Sequence, residues 1–179
     1  DQQINNTDAN NVIIIHDKSL ARAYKIEFEE MYGGTGLLPN SANAKFGSHK
    51  KDNTPHEFII GGNRVELYFS PSDSVNKEII DVIGTANNEL YVETNLITMT
   101  NIADAISNKA NTGVITKAMV NSPGNCTPAV VSIISLALGN NFKEYVEGGI
   151  LHHKLLIADP NFTSSDPLVL TGSHNWSAS

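Results

Sequence analysis

Residues 149–179 read GILHHKLLIADPNFTSSDPLVLTGSHNWSAS, and the fold turns on how this stretch is read. ILHHKLLIA has the apolar density of a buried strand, and a strand sends residues i and i+2 to one face. His152 and Lys154 are therefore expected to project together, with His153 pointing the other way alongside Leu151, Leu155 and Ile157. A buried strand normally carries apolar groups on both faces. A His/Lys pair inside one is costly unless it faces a cleft. A titratable imidazole beside a fixed cation suits an anionic substrate, as in phosphoryl transfer.

The order of the remaining polar residues adds to this. After Lys154 and four intervening residues comes Asp159, then the short apolar run PLVLTG, then Gly172-Ser173-His174-Asn175 followed by Trp176-Ser177. This H-x-K, four residues, D, then G-S-x-N pattern resembles the phospholipase D superfamily. The resemblance extends upstream. VELYFSPSDSVNKEIIDVIGTANNELYVETNLITMTNIADAISNKANTGVITKAMV is similar to the front of one half-domain of that family, and residues 55–179 read as one half-domain carrying the HKD motif. Residues 1–37, with DANNVIIIHDKSLARAYKIEFEEMY, resemble the strand and helix that close a half-domain and normally follow the G-S-x-N turn. Residues 38–54, polar and without periodicity, read as a linker. Two arrangements fit: an excerpt spanning the end of one repeat and most of the next, or a permuted single module. The start at Asp1 and the end in mid-pattern at Ser179 favour the excerpt.

Between these landmarks the chain alternates strand and helix patterns. VIII at 12–15 is of the short, buried strand type. Residues 19–31 place Leu20, Tyr24, Phe28 and Met31 on one helical face, and the helix stops at Gly33-Gly34. Val65 to Phe69 alternates as a strand, and Val75, Ile79, Ile80, Ile83 and Ala86 form a helical stripe. A strand starting at Leu90, a helix over 102–110 and a strand over 113–120 follow. Thr127 and Pro128 open a further helix that Gly139 ends. The expected fold is α/β: a phospholipase D-like sandwich with a mixed, mainly parallel sheet flanked by helices.

Bulk properties narrow the partners. A net charge of −7, with 12 scattered Lys and Arg of which only Lys50-Lys51 are adjacent, argues against general electrostatic capture of DNA. No apolar run approaches the ~20 residues that cross a bilayer. The single cysteine, Cys126, allows no intrachain disulfide, and nothing in the sequence offers it a base. Many asparagines and few cysteines are compatible with a bacterial protein, secreted or periplasmic, without assigning a compartment.

The resemblance implies roles. His152 is the expected catalytic imidazole, nucleophile or general acid. Lys154 and Asn175 bind phosphoryl oxygens and Ser173 can add a hydroxyl, while Asp159 is a supporting residue that ties down the exit of the strand. His153 and His174, lying between these positions, are expected to support. Two such motifs make one site, so the expected partners are a phosphodiester (phospholipid or nucleic acid) and a second HKD half-domain, from a missing repeat or a homodimer mate. One chain alone then looks like half an active site. No cofactor is expected, and no metal: Cys/His clusters of zinc spacing and EF-hand spacing are both missing. In related chains an acid before the closing strand orients the imidazole. Here that place aligns with about Ala9, with Asp8 beside it. The functional reading is a phosphodiesterase acting through phosphohistidine, with phospholipid favoured over nucleic acid by the acidity. A non-catalytic module lacking its second motif stays open beside it.

Overall fold

Leu90, Val92 and Thr94 are buried while Glu89, Tyr91 and Glu93 are half-exposed, the two-residue alternation of a strand with one face on a core. This strand is central. The structure, a computed structural model, describes residues 8–178, which divide into two units: residues 8–12 with 76–178, and residues 13–75.

In the first unit, α2 (Val75–Thr85, counted here although Val75 precedes the boundary) leads into β3 (Glu89–Thr94). Then follow α3 (Thr100–Asn111), β4 (Ile115–Val120), α4 (Pro128–Leu138), β5 (Phe142–Glu144), β6 (Lys154–Ala158) and β7 (Leu168–Thr171). The sheet order is β5-β4-β3-β6-β7. β3–β4 and β4–β5 are parallel, each joined through a helix as a parallel crossover requires. β6 returns antiparallel to β3, and β7 antiparallel to β6. The sheet is thus mixed, with two parallel and two antiparallel pairings.

Its buried face carries Leu90, Val92, Thr94, Thr116, Ala118, Val120, Leu156 and Ala158, with Lys154 among them. α2 contributes Ile79 and Ile83, α3 Ile102, Ala103 and Ile106, and α4 Val130, Ile134 and Leu138. α4 begins and ends at the expected residues, with Thr127 as N-cap, Pro128 in the first turn and Gly139 as C-cap. The Thr127 hydroxyl does not cap the helix; it donates to the Thr98 carbonyl at 3.4 Å.

In the second unit, α1 (Lys18–Tyr32) is opened by Asp17, whose carboxylate accepts from Leu20 N at 2.8 Å. It is closed by Gly33 at φ +86°, where a Cβ would lie 1.9 Å from the Asn40 carbonyl oxygen. Only glycine fits there. The buried helix face is not the expected Leu20/Tyr24/Phe28/Met31 stripe. Leu20, Ala23 and Glu27 are buried, whereas Tyr24 and Phe28 are 54% and 56% exposed. The cause is an ion pair: Glu27 meets Lys50, and both side chains are enclosed. Lys50 also donates to the Ser70 carbonyl at 2.7 Å. Pairing makes burial of the glutamate tolerable, so the helix turns this face inward against Phe58 and Leu67.

β1 (Glu57–Ile60) and β2 (Asn63–Glu66) form a hairpin about Gly61-Gly62, both at positive φ. The strand expected over 65–69 therefore lies earlier, at 63–66. VIII at 12–15 is in no strand, and Val12 and Ile14 are 84% and 78% exposed. A strand is buried only where a neighbouring strand receives it. Among the described residues neither the sheet nor the hairpin pairs with this segment.

Candidate functional site

The regular part of β6 starts at Lys154, so the alternation expected for His152 and Lys154 does not operate. His152 and His153 lie just before the strand, held by the N-terminal segment. Ala9 bridges to Leu151 in parallel, with Ala9 N donating to the Ile150 carbonyl and His152 N to the Ala9 carbonyl, both at 2.9 Å. Asp8 Oδ1 accepts from Ile150 N at 2.8 Å. The side chains follow the backbone: His152 Nδ1 is 3.2 Å from Asn10 Oδ1, and His153 Nδ1 is 2.8 Å from Asn11 Oδ1. An amide oxygen only accepts, so this contact calls for the proton on Nδ1 of His152. The side chain that meets this imidazole is that of Asn10, while Ala9 pairs through its backbone.

Lys154 is 2% exposed. Its ammonium donates to the His152 carbonyl at 2.9 Å and pairs with no carboxylate among the described residues. Desolvation alone pulls its pKa down.

Asp159 stands at the far end of the same strand, five residues or ~16 Å from Lys154. Its carboxylate is sealed from solvent. Oδ1 accepts from Asn88 N and Glu89 N at 2.7 and 2.6 Å, and Oδ2 from Asn87 N and Ser165 Oγ at 2.8 and 2.5 Å. Desolvation pushes this carboxyl up. The four hydrogen bonds outweigh it and hold the pKa at about 2. The side chain thus clamps the end of β6 to the start of β3.

Ser173 and Asn175 lie exposed in the turn after β7, and neither side chain has a hydrogen-bond partner among the described residues. Their neighbours anchor the turn. Trp176 is buried and bridges to Ile97, with Thr98 N donating to its carbonyl at 2.9 Å. His174 Nε2 donates to Asn76 Oδ1 at 3.0 Å, and Asn76 Nδ2 donates to the Ser177 carbonyl. Burial lowers the His174 pKa, which suits a neutral, structural ring.

Residues 95–98, just past β3, receive both halves of the motif. Asn95 N donates to the His153 carbonyl and Asn95 Nδ2 to the Leu151 carbonyl, while Ile97 and Thr98 take Trp176. Asn121, at the end of β4, accepts from Leu151 N at 2.9 Å. One side of the sheet thus gathers His152, Lys154 and the 173–175 turn, and Asp159 is set apart from them. Asn10, Asn95 and Asn121 had no signal in local spacing, because each reaches the motif from a distant segment.

Among the described residues, Asp52, His56 and Asp73 in the second unit form one further grouping of ligand-type side chains. Its hydrogen bonds account for it. His56 donates Nδ1–H to the Leu67 carbonyl at 2.9 Å, and Nε2 faces Asp52 Oδ1 at 3.0 Å. Burial pulls the His56 pKa down, but these two partners raise it overall, as for a His–Asp ion pair.

Comparison with known proteins agrees with the motif. The family model described as cardiolipin synthase, PLD-like domain, matches residues 79–179, more than half of the chain. No curated protein matches the chain. Among solved structures it is similar to a phospholipase D family member, Nuc from Salmonella typhimurium. The two share 23% identity, with 60% of this chain and 68% of that one covered at a TM-score of 0.48. With residues 79–179 matched end to end and the HKD and G-S-x-N elements inside that span, the chain belongs to the phospholipase D-like family.

Proposed function

We propose that this chain supplies one HKD half-site of a metal-independent phosphodiesterase that works through phosphohistidine. The observation that carries the reading is Lys154: a buried ammonium with no carboxylate partner among the described residues, bonded to the carbonyl of His152. A cation enclosed without a counter-ion is costly, and a phosphoryl oxygen relieves that cost. Lys154 and Asn175 then hold the phosphoryl oxygens, with Ser173 adding a hydroxyl from the same turn.

As nucleophile, His152 Nε2 forms a bond to phosphorus while the P–O bond to the leaving group breaks. The departing alkoxide takes a proton from a second histidine. That histidine next removes a proton from water, whose oxygen displaces the imidazole. As general acid, His152 takes the second part in the same scheme. The other motif comes from a second HKD half-domain, of another repeat or of a homodimer mate. Residues 1–37, in which α1 supplies the helix and the run at 12–15 is in no strand, are proposed as the closing segment of a half-domain, residues 38–54 as a linker, and residues 55–179 as the half-domain with the motif. A net charge of −7 favours phospholipid over nucleic acid as substrate.

One observation favours a second reading. Asn10 is a neutral partner for His152, where a carboxylate would stabilise the imidazolium better. A binding module with an anion pocket and little turnover fits that neutrality. The deciding experiment is hydrolysis of a chromogenic phosphodiester in EDTA by this chain and by His152→Ala, with sedimentation equilibrium alongside. Activity that survives EDTA and disappears in the variant supports the enzyme. Phosphate binding without turnover in a dimeric chain supports the module.

A further inference from the structure

Thr94 is 0% exposed, and its hydroxyl has no hydrogen-bond partner among the described residues. Among the described residues only three buried side-chain polar atoms share that condition: Asp8 Oδ2, Thr54 Oγ1 and Thr94 Oγ1. Thr94 is also the residue directly opposite Lys154 in the β3–β6 register. Opposed residues in an antiparallel pair have Cβ atoms ~5 Å apart on one face of the sheet. The ammonium has three protons, one of which goes to the His152 carbonyl. An unpaired hydroxyl and an under-satisfied buried cation therefore share one enclosed patch.

Packing alone does not ask for threonine here. Valine has the same shape and a comparable strand preference, and it avoids the ~1–3 kcal/mol cost of an orphaned buried hydroxyl. Thr116, buried on the next strand, shows the ordinary case, its hydroxyl donating to the Val114 carbonyl at 3.0 Å. A buried polar atom without a partner calls for an explanation, and the neighbouring ammonium offers one.

We propose that Thr94 is a positioning residue for Lys154: its hydroxyl oxygen, without a partner in this structure, becomes the second acceptor of the ammonium when the lysine meets a phosphoryl group. This rests on the reading of Lys154 as an anion-binding residue. Thr94 does not touch the substrate; it acts through the lysine, giving the ammonium a second acceptor in the anion-bound state.

The test is calorimetric titration of inorganic phosphate into the whole chain, its Thr94→Val, Thr94→Ser and Lys154→Met variants, with thermal melts of each. Phosphate binding lost in Lys154→Met establishes the anion site. The proposal then expects Thr94→Val to bind about three- to tenfold more weakly, the range of one neutral hydrogen bond, with melting unchanged or raised. Thr94→Ser, which returns the hydroxyl, restores binding to within about twofold on the same scale. Undiminished binding by Thr94→Val overturns the role of Thr94 and leaves the anion site standing. Equal weakening in Val and Ser variants, with lowered melts in both, also overturns it by showing a packing role. Phosphate binding that survives Lys154→Met overturns the reading of the lysine and this inference together.

Discussion

Replacing Asp159 by asparagine tests the clamp between β6 and β3. The variant keeps the shape of the side chain, and asparagine tolerates the backbone φ of +50° at this position, so backbone strain does not enter. What changes is charge and donor pattern. Holding the carboxyl at about 2 rather than 3.8 corresponds to roughly 2 kcal/mol of stability. The sign follows from the direction: a depressed carboxyl stabilises fully above its unfolded pKa and loses that contribution as pH falls through the folded value. An amide with its NH2 in the place of Oδ2 can still donate to the Ser165 hydroxyl but meets the Asn87 N–H donor to donor, adding ~1–3 kcal/mol of unsatisfied polar burial. The expected loss at pH 7 is about 3–5 kcal/mol, or about 10 °C in melting temperature for a chain of this size. Differential scanning calorimetry from pH 7 to pH 2.5 measures it. The gap between parent and variant should narrow below pH 4 as the parent's carboxylate protonates. A variant melting within about 2 °C of the parent at pH 7, or a gap that ignores pH, refutes the clamp.

Three further outcomes follow from the same geometry. Lys154→Met should raise the melting temperature while abolishing phosphate binding, because an enclosed, unpaired ammonium is exchanged for an apolar chain of similar volume; calorimetry and titration on one sample check both. Asn10→Ala should lower kcat about three- to tenfold with KM unchanged, as expected for loss of one hydrogen bond that orients His152; steady-state kinetics with a chromogenic diester reads this split. Glu27→Gln should cost about 3–5 kcal/mol by leaving Lys50 enclosed without its counter-charge, whereas Glu27→Met combined with Lys50→Met should recover most of that; urea denaturation compares the two.

The legible parts of this molecule are those written in local spacing. The motif from His152 to Asn175 is one continuous run, so its elements could be placed without knowing what surrounds them. α4 announced itself through Thr127, Pro128 and Gly139, and of the stripe Val75, Ile79, Ile80, Ile83 and Ala86 the residues Ile79, Ile83 and Ala86 are buried while Val75 and Ile80 are half-buried. Partnership was not legible. Periodicity put Tyr24 and Phe28 inward, yet a lysine in a polar stretch reaches Glu27 and reverses the choice of face. The apolar run at 12–15 states a preference for burial but names no strand to pair with. Asn10 lies one residue from the alignment that suggested Ala9, because the backbone at Ala9 does the pairing and leaves the next side chain to meet the imidazole. The Gly61-Gly62 turn carried a readable hairpin signal that alternation at 65–69 overrode.

The clip formed by residues 8–11 over 150–153 has a consequence for the order of folding. It joins positions 142 apart in sequence, while residues 13–75 in between form a unit of their own. Closing so long a loop costs about 4–5 kcal/mol of chain entropy, against far less for the neighbouring ladders of the sheet. The parallel pairs and the β6–β7 return should therefore assemble first and the clip last. In pulse-labelled refolding, the His152 amide, which donates to Ala9, should gain protection after those of β3 and β4. The same segment should open first under mild destabilisation. The surroundings of His152 would then come apart while the sheet stays intact, giving this site a lifetime shorter than that of the fold around it.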